Sequence, residues 1–131
     1  MVGAICGDII GSVYEMINVK HTKFVLFGEK SKYTDDTVLT IAVADAIMNN
    51  REYSVVFREY AREHPLAGYG GSFISWVDNS DAGPYNSWGN GSAMRVSPVA
   101  WLFDSLEEVE VEAEKSAAAT HNHPEGVKGA Q

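Results

Sequence analysis

One segment constrains the fold more than any other, the run TDDTVLTIAVADAIMNN at residues 34–50. Thr34 or Asp35 can cap a helix there, and acidic residues fill its first turn. The following VLTIAVADAIM is apolar almost all round, and Asn49 and Asn50 close the helix. A helix that is apolar on every side is buried, so we expect this one in the core.

The N-terminal segment predicts a second buried helix, ending near Ser12 and followed by a loop that carries Glu15. Three glycines spaced four apart share one face of it, where another backbone could approach closely: Gly3, Gly7 and Gly11. Residues 20–32 have no clean period and predict an irregular connection. Strand signals are few, so the predicted fold class is all-α.

The remaining helices are predicted from caps and prolines. Ser54 caps a short amphipathic helix that Pro65 ends, and Pro98 bends or divides the helical run SAMRVSPVAWLF. Ser105 and Glu108 form a capping box for LEEVEVEAEKSAAA. Pro124 stands in the first turn of a last helix. No repeat or linker interrupts the chain, so residues 1–131 are expected to form a single domain.

Composition narrows the class of protein. Of 131 residues, 45% are hydrophobic and 21% charged, which is typical of a globular chain and excludes general disorder. The net charge of -8 argues against nucleic-acid and anionic-membrane partners. No apolar run reaches the length of about 18 residues that a membrane span needs. With no basic leader and one cysteine, Cys6, we expect a cytoplasmic protein.

The acidic turn before the core helix is a candidate metal site. Asp35 and Asp36, with the hydroxyl of Thr34, offer several hard oxygen ligands suited to Mg²⁺ or Mn²⁺. Ordinary capping and stabilisation of the helix dipole is the alternative, and spacing alone favours it. Capping one helix requires one side-chain oxygen, however, and this turn supplies several.

Glu15 follows the glycine-rich helix and could take a proton from a water molecule. Taken alone, the residue is more simply a solvated surface acid.

Two glycine-rich loops are candidate phosphate sites. Residues 86–91, NSWGNG, precede a helix and would expose backbone N–H groups at its positive end. Trp88 could stack on a purine there, and a plain turn is the alternative. The loop GYGG at residues 68–71 is weaker by itself. Asp78 to Gly91 forms a long polar loop, a length usually associated with function or mobility.

The basic residues give weaker signals. His121 and His123 form an H-x-H pair, but no further Cys or His cluster completes a zinc tetrahedron. His121 could contact ligand hydroxyls or only order its loop. Arg95 is expected to form a structural ion pair rather than to bind phosphate.

Taken in order, five segments resemble the ADP-ribosylglycohydrolase family, which includes enzymes that reactivate dinitrogenase reductase and ADP-ribosyl-acceptor hydrolases. The match spans nearly the whole chain, through GDIIGSVYE, YTDDTVLTIAVADAI, GYGGSFISW, SWGNGSAMRVSPVAWLF and THNHPEGVKGA. The resemblance implies an all-α helical bundle with a two-metal Mg²⁺ site, or Mn²⁺ in some members. Members cleave ADP-ribose at the anomeric carbon of the distal ribose from modified proteins or small acceptors.

The resemblance also implies roles for single residues. Thr34, Asp35 and Asp36 match metal ligands, and Glu15 and Asp36 are the expected catalytic acids. The expected substrate-binding residues are Gly70, Gly71, Ser87, Trp88, Gly89, Asn90 and His121.

One departure from the family pattern leaves alternatives open. Members are longer, and nothing after Asp104 resembles the Asp-rich motif that supplies their remaining metal ligands. The chain is therefore expected to be a truncated, N-terminal part of the bundle that self-associates or swaps domains through its exposed apolar surface. The alternatives to a hydrolase are a non-catalytic member that only binds an ADP-ribose-like ligand, and an inactive fragment.

Overall fold

The computed structural model describes residues 1–17 and 19–131. Within these ranges the regular structure is entirely helical, which confirms the all-α prediction. The helices are α1 (Val2–Gly11), α2 (Asp35–Met48), α3 (Tyr53–Glu63), α4 (Gly71–Asp78), α5 (Gly91–Arg95), α6 (Val99–Leu102), α7 (Leu106–Ala118) and α8 (Pro124–Lys128).

Helix α2 lies at the centre of the fold, as predicted. It contacts α1, α3, α5 and α6. Thr34 caps it, because the hydroxyl accepts a hydrogen bond from the Asp36 backbone N–H, and Asn49 ends it. The hydrophobic core contains side chains of α2, α3, α4 and α7, such as Val43, Phe57 and Trp76. Burial of this apolar surface is the main stabilising contribution.

The later helix boundaries follow the predicted signals with one exception. Pro98 separates α5 from α6, and Ser105 with Glu108 forms the capping box of α7. The prediction that Ser54 caps α3 is wrong. The side chain of Glu52 accepts hydrogen bonds from the backbone N–H groups of Ser54 and Val55, so the cap lies two residues earlier.

Helix α1 departs from the prediction in its surroundings. It spans the expected residues, but none of them is buried, so the expectation of a buried helix is wrong for the described chain. A Cβ added at any of its three glycines would meet no atom within 4 Å. Hydrogen bonds of one α1 side chain, Asp8, join this helix to the start of α2. No helix among the described residues is long and apolar enough to cross a membrane.

Candidate functional site

A carboxylate that the sequence analysis did not select joins α1 to α2. Asp8 accepts hydrogen bonds from the backbone N–H and the hydroxyl of Thr34, at 2.7 and 2.6 Å. It also accepts them from the backbone N–H of Thr37, at 3.2 Å, and from its hydroxyl. Asp8 thus satisfies donors of the first turn of α2 that have no partner within the helix. An acidic residue inside an otherwise apolar helix was the available signal.

The candidate metal ligand Thr34 is buried, and its hydroxyl is already engaged. The oxygen donates its proton to Asp8 and accepts a long hydrogen bond from the Asp36 N–H, at 3.4 Å. One lone pair of the hydroxyl oxygen remains free for a further interaction. The capping role predicted as the alternative is therefore present, and it leaves a ligand role open.

The carboxylates at the mouth of α2 repel each other. Burial, and then the charge of Asp36, raise the pKa of Asp35 to about 6, with smaller contributions from Glu15 and Asp8. The pKa of Asp36 is raised by burial and then by Asp8 and Glu15. No Lys or Arg forms an ion pair with these four acids in residues 1–17 and 19–131. No basic side chain of the described chain therefore neutralises their charge, although hydrogen bonds stabilise the charge of Asp8.

A cavity of about 600 Å³ opens beside this acidic turn. All seven residues predicted to bind substrate line it, together with Asp35: Gly70, Gly71, Ser87, Trp88, Gly89, Asn90 and His121. The two glycine-rich loops, far apart in sequence, thus face one space. Gly70 is the N-cap of α4 and makes no side-chain cap hydrogen bond, so the first N–H groups of that helix have no capping side chain.

Glycine is required where the Ser87–Asn90 loop meets α8. A Cβ at Gly126 would lie 2.6 Å from the carbonyl oxygen of Ser87 and about 3.1 Å from the ring of His121. The Gly126 carbonyl also accepts a 2.6 Å hydrogen bond from the buried hydroxyl of Ser92. Close backbone packing against α8 therefore fixes one wall of the cavity.

The floor of the cavity contains a buried cation. Arg95 is 1% exposed and lies over the ring of Phe57, with 4.1 Å between its guanidinium carbon and the ring centroid. It donates to the Ser116 carbonyl and the Thr120 hydroxyl, at 2.8 and 2.9 Å. The expected ion pair is wrong, because no carboxylate pairs with Arg95 in the part of the chain that the structure describes. Burial lowers the pKa of Arg95 to about 9.

His121 is the neighbour of this cation. Its Nδ1 lies 2.7 Å from the hydroxyl of Thr120, and the residue is 2% exposed. Burial, and then the charge of Arg95, lower the pKa of His121 to about 4, against a small opposing effect of the Gly89 backbone. His121 is therefore neutral at physiological pH, and its buried Nε2 makes no hydrogen bond of normal geometry among the described residues.

Trp88 lies at the rim of the cavity and is 74% exposed. Its ring centroid is 6.4 Å from that of His123, and the planes are inclined by 44°. The indole thus has an open face that a planar group could stack on.

Not every predicted site residue reaches this cavity. Thr34, Asp36 and the exposed Glu15 do not line it. Among the described residues, no three His, Cys, Asp or Glu side chains are grouped closely enough to hold a metal ion. The structure therefore brings together the predicted substrate residues and Asp35, and leaves Thr34, Asp36 and Glu15 outside the cavity.

A larger cavity, of about 830 Å³, lies elsewhere and contains none of the predicted residues. It is bordered by Lys115 and Glu112, which form an ion pair of 2.9 Å, and by Tyr53, which donates to Glu112. Because Lys115 already compensates Glu112 there, we regard the smaller cavity as the candidate site.

The chain is similar to known proteins over nearly its whole length. Over 99% of its length, the chain is 28% identical to "ADP-ribosylhydrolase ARH3" of Xenopus tropicalis and 26% identical to that of Homo sapiens, covering 46% of each relative. The mouse protein of the same name is 27% identical. The chain thus spans about half the length of these relatives. The model of the ADP-ribosylglycohydrolase family matches residues 1–131, and the chain belongs to this family.

Proposed function

We propose that this chain forms the ADP-ribose-binding part of a hydrolase that releases ADP-ribose from modified proteins or small-molecule conjugates. The observation that carries the proposal is the cavity, where the Gly70–Gly71 turn, the Ser87–Asn90 loop and His121 face one another. Its volume of about 600 Å³ is in the range of small-molecule sites. Relatives named as ADP-ribosylhydrolases support the same reaction class.

The charges around the cavity support an anionic ligand. Arg95 lines it and lacks a carboxylate partner in the described ranges, so a ligand phosphate would compensate a buried positive charge. The uncapped N-terminus of α4 adds backbone N–H donors and the positive end of a helix dipole. Trp88 offers an exposed aromatic face for the adenine. A ligand in which a diphosphate joins two groups that are planar or carry hydroxyls fits these features.

Magnesium, or manganese, is proposed as the cofactor, held in part by Asp35 and Asp36 with the free lone pair of Thr34. Both carboxylates have raised pKa values because they are partly buried and repel other acids. A hard divalent cation relieves that repulsion and prefers oxygen ligands. The described residues supply too few ligands to enclose an ion, so further oxygens come from the substrate, water or another polypeptide segment.

The chemistry proposed for the site is water attack at the anomeric carbon of the distal ribose. A bound divalent ion would supply Lewis-acid polarisation and lower the pKa of a bound water. Glu15 or Asp36 would accept the proton of the attacking water. The remaining carboxylates at the mouth of α2 would stabilise positive charge on the ribose ring. The cavity wall would hold the diphosphate and adenosine, which fixes the distal ribose toward the acids.

A second function is favoured by one observation, the incomplete set of metal ligands. In this alternative the chain binds ADP-ribose or a similar ligand without cleaving it, or is an inactive fragment. Binding and turnover therefore have to be measured separately.

Ligand binding is tested by calorimetric titration of the purified chain with ADP-ribose. We expect Trp88→Ala to weaken binding by roughly ten-fold, since stacking contributes about 1–3 kcal/mol per base. Trp101 is a matched control, because it is 76% exposed and does not line the cavity. Trp101→Ala is expected to bind as the unchanged chain does. Equal affinities of the two variants would contradict the proposed adenine site.

Turnover is tested with an ADP-ribosylated peptide in the presence and absence of Mg²⁺. Asp36→Asn is expected to abolish Mg²⁺-dependent release of ADP-ribose and Mg²⁺-dependent thermal stabilisation, with an unchanged helical circular dichroism spectrum. A chain that binds ADP-ribose but releases none under any metal condition would support the binding function instead.

Self-association and a cytoplasmic location are proposed with this function. Apolar side chains are strongly exposed on and after α1, including Val2, Met16 and Ile17, and such a surface favours contact between copies. Cys6 is a free thiol, which suits a reducing compartment. Sedimentation velocity over a range of concentrations tests the first point, and a monomer throughout would contradict it.

A further inference from the structure

We infer that Arg95 and Thr120 position His121 so that its Nε2 carries the ring proton and donates a hydrogen bond at the cavity wall formed by the Ser87–Asn90 loop. Only the identity of the ligand in this inference rests on the proposed function. The inference itself follows from a chain of three buried side chains, whose direction of donation is fixed at one end.

The fixed end is the guanidinium. Arginine can only donate, so the 2.9 Å contact between its Nη2 and the Thr120 oxygen makes that oxygen an acceptor. Thr120 is fully buried, and its single hydroxyl proton needs an acceptor. Among the described residues its hydroxyl contacts only Arg95 and the Nδ1 of His121.

The hydroxyl proton therefore selects the tautomer of His121. If Nδ1 accepts this proton at 2.7 Å, every member of the chain is satisfied. If Nδ1 instead carried a proton and donated it, the buried hydroxyl proton of Thr120 would have no acceptor. An unsatisfied buried donor costs about 1–3 kcal/mol, enough to make one tautomer strongly dominant.

The ring holds a single proton, so fixing Nδ1 as an acceptor places that proton on Nε2. Burial and the charge of Arg95 both disfavour the doubly protonated ring. Nε2 lies beside the start of α5, since a Cβ at Gly91 would be 3.4 Å from it. Nε2 is itself buried and makes no hydrogen bond of normal geometry in the described chain, the Gly89 backbone lies near the ring, and His121 lines the cavity.

The consequence is a selective contact. An N–H at this position binds an acceptor oxygen of a ligand, such as a phosphate or ribose oxygen, and rejects a group that can only donate. Arg95 and Thr120 are positioning residues, because they act on the ligand through the orientation and protonation of His121.

The test is a long-range ¹H–¹⁵N NMR spectrum of the protein with ¹⁵N-labelled histidine rings, recorded without ligand at neutral pH. The resonances of His121 are assigned by their loss in His121→Gln. We expect the Nε2–H tautomer in the unchanged protein and in Thr120→Ser, which keeps the hydroxyl. Thr120→Val has the same shape without the hydroxyl, and we expect it to show a mixture of tautomers or the Nδ1–H form.

The same variants are then titrated with ADP-ribose. Thr120→Val should bind roughly ten-fold more weakly, and Thr120→Ser should restore affinity. An Nδ1–H tautomer in the unchanged protein would overturn the inference even if Thr120→Val failed to fold. A pure Nε2–H tautomer and unaltered affinity in folded Thr120→Val would overturn it as well.

The two proposals fail in different ways. If the free protein shows the Nε2–H tautomer but does not bind ADP-ribose, the positioning inference stands and the proposed ligand is wrong. If ADP-ribose binds while His121 is in the Nδ1–H form, the ligand stands and the inference is wrong.

Discussion

The two sides of the cavity carry opposite charges that the described chain does not neutralise. On one side, Asp35 and Asp36 lie at the start of α2, close enough to Asp8 and Glu15 for all four charges to interact. On the other, Arg95 is buried below the Ser87–Asn90 loop without a carboxylate among the residues described. Away from the cavity, Arg51 pairs with Asp45, whereas the buried Arg58 lies over Trp76 and donates to backbone carbonyls instead.

Arg95 differs from Arg58 because it lines the cavity, so its uncompensated charge lies beside a space that a ligand could occupy. Unpaired charges that are partly or fully removed from water destabilise a fold. Because the acidic side chains and the buried Arg95 do not pair with each other, each remains available to a ligand. A molecule that presents phosphate oxygens to Arg95, together with a divalent cation at Asp35, would satisfy both sides at once.

We expect the largest effect on the free energy of unfolding from the cationic side of the cavity, through the pH dependence that His121 contributes. The folded pKa of His121 is about 4, below its value of about 6.5 in an unfolded chain. The unfolded chain therefore binds more protons between these values, and His121 stabilises the fold only while it is neutral. We expect its contribution, roughly 3 kcal/mol, to be lost as the pH falls from about 6.5 to 4.

Urea unfolding at several pH values measures this loss. Carboxylates titrate in the same interval, so the informative quantity is the difference between the unchanged chain and His121→Gln. That difference should shrink toward low pH. His21→Gln removes an exposed histidine and serves as the control. A difference that does not vary with pH would mean that His121 titrates normally in the fold.

Within the acidic side, Asp8 should behave differently from its neighbours, because hydrogen bonds compensate its charge. Asp8→Asn replaces one acceptor oxygen by an amide NH₂ group, which cannot accept the hydrogen bonds that this oxygen receives from Thr34 and Thr37. Hydrogen bonds to charged groups contribute about 1.5–3 kcal/mol, so we expect a loss of about 2 kcal/mol. Since Asp8 joins α1 to α2, hydrogen exchange should accelerate in α1 before the core.

Urea unfolding gives the size of this loss, and Asp104→Asn, on an exposed residue without a hydrogen bond from the described chain, is the control. An Asp8→Asn protein as stable as that control would show that α1 is not anchored through Asp8.

The sequence predicted the helices whose signals are local. The cap of α2, the break at Pro98 and the capping box of α7 depend on residues within a few positions of each other, and all three are present. Whether α1 is buried could not be predicted in this way. Its apolar composition resembles that of α2, yet burial depends on what packs against it, which local sequence does not specify.

The candidate site likewise contains residues that the sequence predicted and residues that it did not. The glycine-rich loops and the acidic turn were selected from residue type and family resemblance, and the loops do face one cavity. The roles of Arg95, Thr120 and Asp8 depend on hydrogen-bond partners that lie far away in the sequence, or on the orientation of a side chain. Asp8 reaches Thr34 across 26 positions and Arg95 reaches Thr120 across 25, and no periodicity signals such pairs.

The smallest effect should have the opposite sign and separate Asp35 from Asp8. Burial and the neighbouring acids disfavour the charged form of Asp35, so its ionisation destabilises the fold at neutral pH. After allowance for solvent screening, we expect Asp35→Asn to stabilise the metal-free protein by about 1 kcal/mol. Thermal unfolding in a chelating buffer measures this gain, and adding Mg²⁺ should stabilise the unchanged chain but not the variant. If Asp35→Asn instead destabilises the metal-free protein as Asp8→Asn does, the acidic turn is a compensated cap. The contrast between the two carboxylates would then disappear, and with it the physical reason for a cation at the mouth of α2.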